Sequence, residues 1–118
     1  MAKAKKLNSM RLLEANDIPY EAFEYDADEF HDAVEVAEII GVPEFQVYKT
    51  LILQSVATDK PMIVILAGDR NVDLKRVAKA AGEKKVKMAK HADAEKMTGL
   101  QVGGISALML MDKNWPIY

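Results

Sequence analysis

Three groups of residues could do chemistry. The first is Lys49, in the stretch PEFQVYKTLILQSVA from Pro43 to Ala57. Pro43 suits the first turn of a short helix, and the residues after it are extended, apolar and partly β-branched. Alternation along a strand puts Lys49, Leu51 and Leu53 on one face and Tyr48, Thr50, Ile52 and Val56 on the other. A charge there needs a ligand or an exit to water. Two readings follow: Lys49 snorkels its ammonium to solvent over an apolar stem, or it presents a fixed cation to an anionic or carbonyl group. The second group is Gly103-Gly104. Such a pair is either a plain turn or a segment whose amides hold a carbonyl oxygen as it gains negative charge. The third is the cluster Lys84, Lys85, Lys87 and Lys90. It is either a solvated face or a seat for a phosphate backbone.

Other chemistries find little support. His31 and His91 are the two histidines and share no ligand spacing with a carboxylate pair, so no metal site is expected. Ser106, His31 and an Asp make a triad only on paper, because no nucleophile-elbow sequence accompanies them. There is no dinucleotide-binding glycine fingerprint and no phosphate loop of the Walker type. No cofactor is expected.

The elements that position these residues can be read in order. A first helix is predicted from about Lys5 to Ala15, with Leu7, Met10 and Leu13 on one face, stopped by Asn16-Asp17. Ile18–Tyr25 alternates and is rich in aromatics, which predicts a strand. An acidic loop, Asp26–Phe30, follows. Asp32 then caps a helix, Glu35 completes a capping box, Val36, Ala37 and Ile40 form the buried stripe, and Gly41 ends it. The Lys49 strand turns at Thr58–Pro61 into a second strand, Met62–Ala67, apolar on both faces. The short connection predicts an antiparallel hairpin. Gly68–Asn71 turns the chain into a helix from Asp73 to Ala81, closed by Gly82. Lys85–Ala89 is a short strand with Val86 and Met88 on one side. Ala92–Thr98 is a short helix closed by Gly99, and a last apolar run spans Ala107–Met111. Interleaved helices and strands with a hairpin predict a mixed α/β sheet rather than a doubly wound parallel one.

The chain has 118 residues, the length of one domain, long enough to bury a core without staples. It has no Cys, hence no disulfide, thiol nucleophile or thiolate site, which fits a cytoplasmic location. A net charge of −2 demands no nucleic acid overall but leaves room for a local basic face. MAKAKKLNSM lacks the apolar core of a signal peptide, and Met62–Ala67 is too short to cross a bilayer.

In motif and order the chain resembles the YbaK-like family, which includes the editing domain of bacterial prolyl-tRNA synthetases. The matching pieces are MRLLEANDIPYE, Phe30, VYKTLIL, LAGDRNVDLKRVAKAAG, KKVKMA and TGLQVGGIS, spanning about Met10 to Leu110. The resemblance implies one editing domain over residues 1–118, with a curled, barrel-like mixed sheet and flanking helices. It implies an aminoacyl-tRNA deacylase that clears Cys-tRNA(Pro) or Ala-tRNA(Pro) in trans, with mischarged tRNA as substrate and prolyl-tRNA synthetase as a partner. Lys49 matches the family's functional lysine, Tyr20 and Phe30 match pocket aromatics, and Gly103, Gly104 and Ser106 match the glycine loop. Thr50 belongs to the same motif as Lys49, and Lys84, Lys85 and Lys87 are the candidates for the tRNA backbone. The family's implied chemistry is substrate-assisted: the thiol of the attached cysteine attacks its own ester. Two departures stand out. Ala107 replaces the usual proline after GGIS, and family members generally continue past Tyr118 into a further strand and helix. A missing strand would leave a sheet edge open to a second copy. The alternative is a non-catalytic module of the same fold that binds a nucleotide, a tRNA end or a protein.

Overall fold

The structure is a computed structural model that describes residues 7–23, 32–100 and 106–118. Its centre is the hairpin. β1 (Tyr48–Ser55) and β2 (Pro61–Ala67) pair antiparallel, with Lys49 opposite Leu66, Thr50 opposite Ile65 and Gln54 opposite Pro61. Pro61 is tolerated because it is the first residue of its strand. The turn is closed by Asp59 N–H donating to the Ser55 carbonyl and Ser55 N–H donating to the Lys60 carbonyl. β3 (Val86–Met88) adds antiparallel to the other side of β1, in the order β2-β1-β3.

Each face of this sheet is covered by a different part of the chain. On one face Leu53, Met62, Val64 and Val86 pack against Val77 and Ala78 of α3 (Leu74–Ala81), with Leu51, Leu66, Val72 and Ala81 around them. On the other, Ile52 and Ile63 pack against Ala89, Ala94 of α4 (His91–Thr98) and Leu110 of a 3-10 helix, Ala107–Lys113. Leu53 and Ile63 are fully buried; truncating either to Ala would cost about 2–5 kcal/mol.

Two further helices flank the sheet. α1 (Asn8–Ala15) buries no residue fully and lies against the 107–113 helix. α2 (Ala33–Ile40) starts where the Asp32 carboxylate accepts from Glu35 N–H at 2.8 Å, and it leads into a 3-10 turn, Glu44–Gln46. Asp73 caps α3 by accepting from the Lys75 and Arg76 amides. Gly82, at φ 71°, turns the chain back towards β3 in a conformation that a side chain would oppose.

The α/β class and the flanking helices agree with the sequence, as do the hairpin and the third strand. The sheet is not closed. Its β2 edge is instead met by the last residues of the chain, where Ile117 bridges Ile63 in parallel, which makes the sheet mixed. The predicted strand Ile18–Tyr25 does not form over its described part: residues 18–23 are irregular. Ile18 N–H is spent on the Leu13 carbonyl at the end of α1, at 2.9 Å, and Pro19 has no amide to donate. The final apolar run is helical, within Ala107–Lys113. Among the described residues, no helix is long and apolar enough to cross a membrane.

Candidate functional site

Lys49 is half-buried near the start of β1. Its cross-strand partner, Leu66, packs on the α3 face of the sheet. Side chains directly opposite on paired strands share a face, so Lys49 leaves the strand on that side. Its stem therefore continues the apolar row of Leu51 and Leu53. The end of the hairpin is fixed from outside. Gly68, just after β2, donates its amide to the Val47 carbonyl at 2.6 Å, and its Cα lies against Ala33 at the start of α2.

Thr50, the next residue, is also half-buried and points to the opposite face with Ile52. That face carries Leu100 and Ala107, the residues on either side of the Gly103-Gly104 segment. Leu100 and Ala107 thus pack on the Ile52 side of the sheet. Gly103, Gly104 and Phe30 lie outside the described residues. Ser106 caps the helix that follows: its Oγ accepts from Leu108 N–H at 3.3 Å.

Tyr20 is more than a third exposed, and its hydroxyl donates to Glu14 Oε1 at 2.7 Å. That bond raises the phenol above its ordinary pKa, with desolvation and the Glu14 charge acting in the same direction. Lys84, Lys85 and Lys87 are exposed at the β3 edge. Lys87 is held by Asp59 of the β1–β2 turn at 2.9 Å. Val86 is buried, as its alternation with the lysines predicts, while Met88 is 43% exposed.

A cleft of about 410 Å³ lies elsewhere, between Asn8, Arg11 and Leu12 of α1 and Leu108, Met109, Met111 and Asp112. None of the described site candidates lines it. Leu12, Leu108, Met109 and Met111 form its apolar wall, with Asn8, Arg11 and Asp112 beside them. Among the described residues, no group of three or more metal-ligating side chains could hold a metal ion.

Gly68 and Asp59 are the structural contributors that sequence reasoning did not single out. Gly68 had only its place in a matching block to mark it. Asp59 has the character of an ordinary turn residue, and its pairing with Lys87 depends on β3 returning beside β1.

Comparison with known proteins places this geometry in context. EbsC of Enterococcus faecalis, provisionally assigned as a Cys-tRNA(Pro)/Cys-tRNA(Cys) deacylase, is 38% identical over 122 aligned residues, which cover 100% of this chain and 73% of that protein. Among solved structures, the hypothetical protein APE2540 superposes with a TM-score of 0.68 at 24% identity, covering 80% of this chain and 61% of that one. A protein provisionally described as a trans-editing enzyme for prolyl tRNA synthetase gives a TM-score of 0.67 at 21% identity, covering 86% of this chain and 65% of that one. The chain thus spans less than two thirds of these two solved chains, and the likeness to them is one of fold. The family model of the aminoacyl-tRNA editing domain matches residues 27–118, and the chain belongs to that family.

Proposed function

We propose that this protein is an aminoacyl-tRNA deacylase that hydrolyses mischarged tRNA(Pro), carrying cysteine or alanine, in trans. The observation that supports this most is the 38% identity, over the full chain, to a relative whose name describes a Cys-tRNA deacylase. The description of the second solved neighbour supports prolyl-tRNA synthetase as the partner that presents the substrate. The whole chain, 1–118, serves as one editing domain, and a proofreading role of this kind belongs in the cytoplasm.

Hydrolysis of an aminoacyl ester needs a nucleophile at the carbonyl carbon, a donor for the oxygen that becomes negative, and release of the ribose oxygen. In this reading Lys49 supplies the cation, to the carbonyl or to the phosphate of the terminal adenosine, and the Gly103 and Gly104 amides receive the oxyanion. Tyr20, Phe30, Thr50 and Ser106 bound the amino acid and the terminal nucleotide. Lys84, Lys85 and Lys87 meet the tRNA backbone. With a cysteinyl substrate the nucleophile is the substrate thiol. A C–S bond forms, the ester C–O bond breaks, and the thiol proton ends on the ribose oxygen. Water then opens the resulting thioester. Residues 63–65 of β2 already pair with the chain's own end, so a homodimer built on sheet edges would use the outer side of β3 or β2 beyond Ile65.

The test is a deacylation panel with tRNA(Pro) charged with cysteine, alanine or proline. Release of cysteine or alanine that is lost in Lys49→Ala is expected, with prolyl-tRNA(Pro) left intact. Tight binding of a non-hydrolysable aminoacyl-tRNA analogue without turnover of any substrate would replace the hydrolase with a binding module.

A further inference from the structure

The cleft between α1 and the 107–113 helix takes no part in the chemistry proposed above. Its two walls are regular rows of side chains. Asn8, Arg11 and Leu12 stand at i, i+3 and i+4, which places them on one face of α1. A 3-10 helix repeats every three residues, so Leu108 stacks on Met111 and Met109 on Asp112. Between the rows lie about 410 Å³. The walls differ in how firmly they are held. Leu110 roots the 107–113 helix in the core at 1% exposure, whereas α1 buries no residue fully.

The rim of the cleft carries one charge of each sign. Arg11 donates from Nη1 to Asn8 Oδ1 at 2.9 Å, which leaves further guanidinium N–H groups for a ligand. Among the described residues, the Asp112 carboxylate makes no hydrogen bond or ion pair, so the two charges line one cleft without neutralising each other. We infer that this cleft binds a free α-amino acid with a long apolar side chain, of the leucine or methionine type. The ligand carboxylate meets Arg11, whose planar guanidinium suits it. The ligand ammonium meets Asp112, and the side chain lies on Leu12, Leu108 and Met111. A fatty acid would pair with Arg11 but bring a second carboxylate to Asp112, and a simple amine would do the reverse. A zwitterion uses both lips. The volume suits a small molecule rather than a helix of another protein, and the flexible methionines adapt to its shape. The inference does not depend on the deacylase reading.

Filling the cleft ties the loosely held wall to the firmly held one. A ligand that touches both α1 and the 107–113 helix stabilises the docked position of α1 by mass action. The amides of Asn8–Ala15 should then exchange with solvent more slowly. That readout places the ligand, because binding at a distant site gives no reason for α1 to be singled out.

The experiment is an amide chemical-shift titration of the full chain with L-leucine, L-methionine, L-alanine, N-acetyl-L-leucine and L-leucinamide, joined to hydrogen exchange with and without leucine. Leucine and methionine are expected to bind with dissociation constants on the order of 1 mM. Alanine, which cannot reach across the apolar wall, should bind about tenfold or more weakly. N-acetyl-L-leucine lacks the ammonium and L-leucinamide lacks the carboxylate, and each should lose about fivefold. Asp112→Asn should weaken leucine about fivefold and leave N-acetyl-L-leucine unchanged. Arg11→Gln should weaken leucine and leave L-leucinamide unchanged. Both side chains are exposed, and circular dichroism melts confirm that the variants are folded. The ligand series makes the same test with no substitution at all. No binding of leucine or methionine up to about 50 mM would overturn the proposal. Equal affinity for leucine and N-acetyl-L-leucine, unchanged leucine affinity in both folded variants, or slowed exchange that spares α1 would overturn it too.

Discussion

Gly68 and Ala33 touch so closely that a Cβ on Gly68 would stand 2.5 Å from the Ala33 methyl carbon. The same Cβ would lie 3.0 Å from the Val47 carbonyl oxygen, the acceptor of the Gly68 amide. The contact sets α2 against the end of the hairpin from which Lys49 emerges. Gly68→Ala is expected to cost about 1–3 kcal/mol through overpacking. Ala33→Gly in the same chain should recover part of that loss. Urea unfolding of the two single variants and the double variant forms the cycle. Strictly additive effects would show that the two residues do not press on each other.

That contact also marks where the sequence stops being informative. The hairpin was legible because Tyr48–Ser55 alternates, Met62–Ala67 is apolar, and a polar turn ending in proline separates them. Helix ends were legible at Asp32 and Gly82, which act on their immediate neighbours, whereas Asp73, read as the first residue of its helix, is that helix's cap. The false strand at Ile18–Tyr25 shows the limit of alternation: Pro19 and the spent Ile18 amide outweigh a favourable pattern. The site was less legible than the fold. Lys49 and Thr50 are adjacent in one motif, yet only packing determines that Leu100 and Ala107 lie on the Thr50 face. No local signal separates Gly68 from other turn glycines, because its requirement comes from a helix 35 positions earlier in the chain.

Lys49 should be separable from stability. Its stem covers the α3 face while its charge reaches solvent or substrate. Lys49→Met keeps the stem and removes the cation. Its unfolding free energy should stay within about 1 kcal/mol of wild type, while deacylation of Cys-tRNA(Pro) falls as far as in Lys49→Ala. Lys49→Arg keeps the charge but changes its shape and hydrogen-bond geometry, and only partial activity is expected from it. Full activity in Lys49→Met would remove the cation from the chemistry.

The turn end of the hairpin is tied by a buried hydroxyl. Ser55 is fully buried, its Oγ donates to Glu83 Oε2 at 3.0 Å, and it accepts from Thr58 N–H at 3.3 Å. Ser55→Ala leaves both partners without it and is expected to cost about 1–3 kcal/mol. Glu83→Gln still offers an amide oxygen to the hydroxyl and should cost less. Thermal unfolding of the two variants tests the order; the reverse order would assign the stability to the Glu83 charge instead.

The Tyr20–Glu14 bond gives a pH signature. The Glu14 carboxylate stabilises the protonated phenol, so the folded pKa lies above the unfolded value. Any stability from this bond is fully present below the unfolded pKa, near 10, and is lost as pH rises through the folded pKa. Ultraviolet titration, read as the difference between wild type and Tyr20→Phe, should place Tyr20 above that ordinary value. Glu14→Gln should bring it back down. Neutral pH should leave the bond intact, so deacylation between pH 6 and 8 should not follow this titration. A Tyr20 midpoint at or below the ordinary value would show that the hydroxyl does not donate to Glu14 in solution.

The outer edge of β2 is guarded by main chain rather than by charge. Ile63 N–H donates to the Pro116 carbonyl at 2.9 Å, Tyr118 N–H to the Ile63 carbonyl at 2.8 Å, and Ile65 N–H to the Tyr118 carbonyl at 2.9 Å. Ile117 contributes no backbone group to these three bonds, and its side chain is half exposed. Removing residues 116–118 would free two donors and an acceptor on an apolar strand, the arrangement that recruits another strand. The shortened chain is therefore expected to form larger species with rising concentration, read by light scattering, and to unfold at lower urea. Ile117→Lys preserves all three main-chain bonds and should scatter like the full chain. If Ile117→Lys associates as strongly as the deletion, cover by the isoleucine side chain protects this edge; if neither does, the edge does not govern association.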